Sequence, residues 1–76
     1  MARQAAIYLG HLNPLTTAHE NIISFLLRDC ENVYIFPVRF LKYNTEINTK
    51  SFPFPYDVRK AMIEAVFSNN DRVIVL

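Results

Sequence analysis

Short apolar segments alternate with longer segments of helical periodicity in this chain, and that alternation restricts the folds open to it. Residues 4–9, 32–38 and 72–76 are the apolar segments, and each has the length of a buried strand. Between them lie residues 16–29 and a segment that begins at Asp57, both with apolar residues at helical intervals. Continuous apolar strands joined by helices form parallel sheets. The sequence therefore predicts an α/β fold with the order β-α-β-α-β, which is half of a doubly wound fold.

The helix ends and inward faces are predicted from capping patterns and periodicity. Thr17 and Glu20 have capping-box spacing, so Thr17 is expected to cap the first helix, and Asp57 is expected to cap the second. Residues 39–56 follow neither period and are predicted to form a long functional loop. The positions expected to face the sheet are Ile22, Phe25 and Leu26 in the first helix and Val58, Ala61, Met62, Ala65 and Val66 in the second.

The length and charge of the chain limit its organisation and partners. The 76 residues are enough for one small domain, taken here as residues 1–76. Lys and Arg number 8 against 7 Asp and Glu, a net charge of +1, which gives no basic surface of the kind that nucleic-acid binders use. No segment approaches the roughly 18 apolar residues of a membrane span, and residues 1–4 lack a signal-peptide pattern. With Cys30 as the one cysteine, we expect a cytoplasmic protein with no membrane or nucleic-acid partner.

The predicted sheet is incomplete. A three-stranded sheet would leave its first strand as an unpaired hydrophobic edge, which is an aggregation hazard. We therefore expect further polypeptide, or another copy of the chain in a homo-oligomer, to complete the sheet.

Residues 10–19 follow the first strand and lead into the first helix. Doubly wound folds bind ligands at the carboxyl ends of their strands, and helix N-termini attract anions. Thr16 and His19 are three residues apart, so they lie on one side of the first helical turn. The spacing predicts a phosphate site made by a hydroxyl and an imidazole. From spacing alone, a histidine that merely packs at the helix start is the alternative.

The stretch IYLGHLNPLTTAH at residues 7–19 resembles the signature of the nucleotidylyltransferase superfamily, commonly G-x-F-x-P-x-[HT]-x-G-H. Leu12 takes the place of the usual Phe, Thr16 that of the first His or Thr, and His19 that of the second His. This threonine variant is similar to phosphopantetheine adenylyltransferases and to phage-type, cytidylyltransferase-like proteins. The resemblance continues to Lys42 after the second strand and to Arg59 at the start of the next helix.

The resemblance implies a Rossmann-like domain that transfers a nucleoside monophosphate from ATP or CTP to a phosphorylated acceptor, with Mg²⁺, and releases pyrophosphate. The base and the acceptor stay open, with phosphopantetheine, nicotinamide mononucleotide and a polyol phosphate as candidates for the acceptor. By this resemblance the catalytic residues are His19, Thr16 and Lys42. The nucleotide-binding residues are Gly10, Leu12, Ala18 and His19, and the acceptor-binding residues are Thr16, Lys42 and Arg59. No residue is assigned to a protein-bound metal.

Two departures from the family pattern favour an alternative function. Ala18 stands where the family usually has glycine, and the family's second signature, a Ser/Thr-rich segment ending in a basic residue, has no counterpart in the chain. The alternative is a catalytically inactive subunit or scaffold that keeps the fold for binding or assembly. Within the enzyme hypothesis, Lys50 or Arg39 could supply the cation in place of Lys42.

Two further hypotheses concern other side chains. His11, His19 and Glu20 are potential zinc ligands, although they lack the spacing of H-E-x-x-H sites. The aromatic side chains of the long loop either stack on a base or acceptor or pin the loop to the core. They are Phe52, Phe54 and Tyr56.

Overall fold

The predicted alternation of strands and helices is present. The computed structural model describes residues 4–76, so the expectation for residues 1–3 lies outside the described range. In chain order, the elements are β1 (Ala5–Gly10), α1 (Thr17–Asp29), β2 (Asn32–Pro37), β3 (Leu41–Lys42), β4 (Thr45–Glu46), α2 (Tyr56–Val66) and β5 (Val73–Val75). Strands β1, β2 and β5 form the main sheet, and β3 and β4 form a separate hairpin.

The main sheet is parallel and has the order β1-β2-β5. Ala6 lies opposite Val33 in the β1–β2 pair, and Val33 lies opposite Val73 in the β2–β5 pair. Strand β2 is therefore central, and β1 lies at an edge, as the sequence analysis expected. Strand β5 forms the other edge of the described sheet. This arrangement is a Rossmann-like α/β fold.

One face of the sheet carries the core, and the other is open. Ile23 of α1 and Ile63 of α2 are fully buried and belong to the same apolar cluster as sheet residues Val33 and Ile35, so both helices pack on one face. The remaining buried members of this cluster are Leu12 and Val75. Alternate residues of β1 point to the other face, where Ile7 is 68% exposed and Leu9 is 65% exposed.

The inward face of α1 differs from the predicted one. Ile23 is buried and Leu26 packs against the core as expected, whereas Ile22 and Phe25 are 44% and 61% exposed. The apolar residues of α1 occupy several adjacent positions, so periodicity is satisfied by more than one stripe. The packing of the helix on β2 selects the stripe through Ile23.

The inward face of α2 was predicted wrongly. Its buried residues are Arg59 and Ile63, and Phe67 just beyond the helix packs on the same cluster. Of the predicted face, Met62 is half-buried, and the exposed members are Val58, Ala61, Ala65 and Val66. A hydrophobic pattern cannot anticipate this face because its first member is a charged residue.

The predicted loop of residues 39–56 contains an unpredicted hairpin. Strands β3 and β4 pair antiparallel, with Leu41 opposite Glu46 and Lys42 opposite Thr45. The two connecting residues, Tyr43 and Asn44, have φ angles of 51° and 62°. Positive φ at both central positions is the geometry of a two-residue type I′ turn. Asn is well suited to this conformation, but a tyrosine there gives little signal in the sequence.

Neither helix described in residues 4–76 has the length and apolar content needed to cross a bilayer.

Ile23→Ala and Ile22→Ala make the same chemical change on neighbouring residues of α1. We expect Ile23→Ala to lower the free energy of unfolding by about 2–5 kcal/mol, because it opens a cavity in the core. Ile22→Ala should lower it by less than about 1 kcal/mol, because that side chain is partly exposed. Urea unfolding monitored by circular dichroism measures both values. Equal losses in the two variants would contradict the described helix face.

Candidate functional site

Leu12 fixes the loop that leads from β1 to α1. Its side chain is 0% exposed within the core, and its backbone has a φ of 50°. A positive φ is uncommon for a residue with a side chain, and the surrounding structure must hold it in place. Burial of the leucine supplies that restraint, so the loop is anchored from beneath. In the same loop, the Asn13–Pro14 peptide bond is cis.

The first turn of α1 is closed by Thr16 and His19 in a reciprocal capping arrangement. The Thr16 backbone N–H donates to His19 Nδ1 at 3.0 Å, and the His19 backbone N–H donates to Thr16 Oγ1 at 3.5 Å. Thr16 is therefore the N-cap residue, and the prediction that Thr17 caps the helix with Glu20 was wrong. A histidine in place of the usual Glu or Gln of a capping box concealed the true register.

This capping arrangement selects one form of the His19 ring. A backbone N–H can only donate, so Nδ1 must accept and cannot carry a hydrogen. The neutral ring then carries its hydrogen on Nε2, an assignment that follows from the hydrogen-bond network. Within residues 4–76 nothing accepts a hydrogen bond from Nε2. His19 thus offers a donor to an anion at the N-terminus of α1, where the helix dipole also favours negative charge.

The segment before α2 is fastened to the loop after β1. The side chain of Asn13 accepts from the Phe54 backbone N–H at 2.7 Å and donates to the Phe54 carbonyl at 2.9 Å. The His11 ring stacks on Phe52, with ring centroids 4.3 Å apart, and Phe40 lies against His11 at 5.1 Å. These contacts favour the structural role for the aromatic residues, because Phe52 is already stacked within the chain.

Tyr56 makes similar structural contacts. Its hydroxyl donates to the carbonyl of Leu76, and the guanidinium carbon of Arg39 lies 4.9 Å from its ring centroid. Arg39, one of the alternative cations, is therefore packed on an aromatic ring of the chain.

Arg59 is buried between the ends of two strands and the hairpin. It is 1% exposed, and its Nη1 donates to the carbonyls of His11 and Val38, each at 2.7 Å. Its Nη2 forms an ion pair with Glu46 at 3.0 Å. The resemblance implies that Arg59 binds the acceptor, but its terminal nitrogens are engaged within the protein.

Glu46 also takes over the capping of α2. Pro55 is the N-cap residue and provides no side-chain cap, so the prediction that Asp57 caps the helix was wrong. Asp57 lies instead in the first turn. The Tyr56 backbone N–H, one of the N-terminal amides that lack a helical partner, donates to both carboxylate oxygens of Glu46 at 2.9 and 3.1 Å.

The other predicted site residues lie around these clusters. Gly10 ends β1, and its carbonyl accepts from the Val38 backbone N–H at 2.8 Å. A Cβ at Gly10 would lie 3.8 Å from the Tyr8 ring, an ordinary contact, so the chain itself does not demand glycine there. Ala18 is exposed in the first turn of α1. Lys42 is exposed on β3, with its Nζ 5.8 Å from the Tyr43 ring centroid.

The zinc hypothesis receives no support. Within the described part of the chain, no group of three or more His, Cys, Asp or Glu side chains is placed to hold a metal ion. The ring of His11 instead packs against Phe52.

The sequence analysis missed the pairing of Arg59 with Glu46 and the clasp of Asn13 on Phe54. The residues of these pairs are 13 and 41 positions apart. No local spacing reports such contacts. An arginine inside an otherwise apolar helical stripe, at Arg59, was the one available signal.

Comparison with known proteins places the fold. No family model matches the chain, and neither does any curated protein. Among solved structures, the chain is similar to a bifunctional NMN adenylyltransferase/ADP ribose pyrophosphatase from Francisella tularensis, crystallised with AMP and a manganese ion. The TM-score is 0.82 at 20% sequence identity, over 99% of this chain and 22% of that one. The likeness shows a shared fold, and this chain spans about a fifth of that protein's length.

Thr16→Ala and Thr17→Ala distinguish the two possible caps of α1. We expect Thr16→Ala to lower the free energy of unfolding by about 1 kcal/mol through loss of the cap. Thr17→Ala should cause no loss, because alanine is the better helix former inside the first turn. Chemical denaturation measures both. A larger loss in Thr17→Ala would restore the predicted cap.

Proposed function

We propose that the chain is the N-terminal portion of a nucleotidylyltransferase domain, which transfers a nucleoside monophosphate from a nucleoside triphosphate to a phosphorylated acceptor. The observation that carries this proposal is the Thr16–His19 pair at the N-terminus of α1, beside the carboxyl end of β1. The signature at residues 7–19 supports it, as does the likeness in fold to a protein that is an adenylyltransferase. Chemistry on nucleoside triphosphates is consistent with a cytoplasmic location.

The proposed reaction is an in-line displacement. An oxygen of the acceptor phosphate attacks the α-phosphorus, the bond from that phosphorus to the bridging oxygen breaks, and pyrophosphate leaves with the bonding electron pair. No covalent enzyme intermediate forms. The protein's contribution is to hold the two phosphates in line and to neutralise the charge that develops on them.

His19 and Thr16 are the proposed phosphate contacts of α1. His19 Nε2 carries a hydrogen and donates to the triphosphate, while Nδ1 stays bound to the Thr16 backbone N–H. Thr16 orients the α-phosphate or the acceptor with its hydroxyl. Because Nδ1 is held in the cap, the ring presents Nε2 without having to become ordered when the nucleotide binds.

Gly10, Leu12 and Ala18 are the proposed nucleotide-binding positions. Gly10 leaves room for the nucleotide at the strand end, and Ala18 lies exposed in the first turn of α1. The Leu12 side chain is buried, so its contribution is made through its backbone. Arg59, also buried, is better suited to positioning the strand ends than to touching the acceptor.

Mg²⁺ enters this proposal as the counter-ion of the triphosphate substrate. Residues 4–76 bring together no carboxylate or histidine cluster that would hold the metal independently. The neighbour's structure contains AMP and a manganese ion, which supports nucleotide and divalent-metal chemistry on this fold. The neighbour is an NMN adenylyltransferase, which favours ATP over CTP as the nucleotide substrate. It also favours nicotinamide mononucleotide as the acceptor among the three candidates.

The open face of the sheet indicates a covering partner. Ile7 and Leu9 expose about two thirds of their surface on one side of the edge strand β1. We propose that further polypeptide of the same protein, or a second copy of the chain, covers this face and supplies the rest of the nucleotide site.

Ala18 supports a second candidate function. Its methyl group occupies the place of the family's glycine in the first turn of α1. A non-catalytic subunit that keeps the fold, with weak nucleotide binding, would accommodate this substitution. Such a subunit would bind ATP without releasing pyrophosphate.

His19→Ala tests the proposed reaction in the full-length protein. We expect pyrophosphate release from ATP or CTP, in the presence of each candidate acceptor, to fall about 10²–10³-fold in kcat through loss of one donor to the transition state. Asn21→Ala, exposed on the same helix, is the control and should retain activity. The enzyme proposal would be overturned if the unmodified protein released no pyrophosphate with either ATP or CTP and any of the candidate acceptors. Retained ATP binding would then favour the non-catalytic subunit.

Substituting each of the three basic residues of the long loop tests which side chain neutralises the transferring phosphate. They are Arg39, Lys42 and Lys50. We expect Lys42→Ala to lower kcat at least about tenfold, through loss of charge at the transferring phosphate. Arg39→Ala and Lys50→Ala should change kcat less than about threefold. Steady-state pyrophosphate release measures all three. A larger effect at Lys50 or Arg39 would transfer the role to that residue.

A further inference from the structure

We propose that Glu46 and Arg59 form a positioning pair that holds the β3–β4 hairpin, and with it Lys42, against the carboxyl ends of β1 and β2. The role of Lys42 in this inference rests on the proposed function, whereas the attachment of the hairpin does not. The signature at residues 7–19 does not include Glu46.

Arg59 connects three separate parts of the chain at one point. Its Nη1 donates to the carbonyl of His11, just beyond β1, and to the carbonyl of Val38, just beyond β2, both at 2.7 Å. Its Nη2 reaches Glu46 on β4 at 3.0 Å. One guanidinium therefore sets the spacing between the two strand ends and the hairpin.

Burial makes this connection rigid. The side chain of Arg59 is 2% exposed and that of Glu46 is 20% exposed. Solvent screens the pair weakly, and removal of either partner would leave the other as an uncompensated charge. Only a planar, multiply donating cation can satisfy two carbonyls and a carboxylate together.

Glu46 extends the connection to α2. Its carboxylate accepts the Tyr56 backbone N–H, in a helix whose N-cap residue offers no side-chain acceptor. Arg59 belongs to the same helix, on its first turn. The hairpin and the helix start are thus held together by two neighbouring contacts from one carboxylate.

The register of the hairpin carries this restraint to Lys42. Lys42 lies opposite Thr45, which is next to Glu46, and the strands are two residues long. The described backbone bond that extends the pairing joins the Ile47 N–H to the Phe40 carbonyl. Because so short a hairpin is marginal in isolation, its position depends on its anchor.

Glu46→Gln tests whether Glu46 attaches the hairpin to Arg59. The glutamine amide oxygen can still accept from the Tyr56 backbone N–H, but the negative charge opposite Arg59 is lost. Glu64→Gln makes the same change on an exposed position of α2 and is the matched control. Limited trypsin digestion of the full-length protein, read by mass spectrometry, follows cleavage after Lys42 relative to cleavage after Lys50. We expect about tenfold faster cleavage after Lys42 in Glu46→Gln and no change in Glu64→Gln. An unchanged cleavage rate in Glu46→Gln would overturn the attachment.

A double-mutant cycle in the pyrophosphate assay tests whether the pair acts through Lys42. Glu46→Gln and Lys42→Ala should each lower kcat about tenfold, and the double variant should be no slower than Lys42→Ala alone. If the fold-losses in kcat of the two single variants multiply in the double variant, Glu46 does not act through Lys42. General destabilisation would give that result, because it lowers kcat equally with Lys42 present or absent. Glu46→Asp, which keeps the charge but shortens the side chain, repeats both measurements if Glu46→Gln fails to fold. A protein that releases no pyrophosphate refutes the proposed function and the role of Lys42, while the digestion still decides the attachment.

Discussion

The buried guanidinium of Arg59 is the contact on which the arrangement of the site depends. Strands β1 and β2 are paired along their length, but their carbonyls at His11 and Val38 lie beyond the ladder and need another donor. Backbone carbonyls removed from water require a partner, and the arginine provides it for both. With Glu46 as its counter-ion, Arg59 joins the hairpin to the same point. The loop after β1 and the loop after β2 therefore keep a fixed distance from each other.

The site itself combines a local device with a long-range one. Thr16 and His19 arrange each other within a single helical turn, so the direction in which the histidine can donate is set by neighbours in the sequence. The position of that turn is set from farther away. Leu12 holds it to the core, and Asn13 holds it to Phe54 in the segment before α2. The proposed phosphate contact needs both kinds of restraint. A correctly oriented donor on a mobile loop would not be held at the phosphate position.

The main sheet has two unlike faces. Both helices pack on one side around Ile23, Ile63 and the central strand, whereas Ile7 and Leu9 remain open on the other. Parallel sheets are normally covered on both faces. The same uncovered face adjoins β1, the strand that leads into the proposed nucleotide site. A partner that covers this face would therefore lie beside the proposed site.

The sequence by itself determined the order of the three main-sheet strands and the two helices, the edge position of β1 and the placement of Thr16 and His19 at a helix start. These features follow from apolar runs and from spacing within a few residues, where local geometry is nearly fixed. It did not determine which residue caps each helix. In α1 a histidine, His19, takes the third helical position where Glu or Gln is usual, and in α2 the distant Glu46 accepts the first backbone N–H. It also did not determine the inward face of α2, where Arg59 lies among apolar positions. Those outcomes were decided only in the tertiary structure, since a charge is buried at low cost only where separated parts of the chain bring its partners to it.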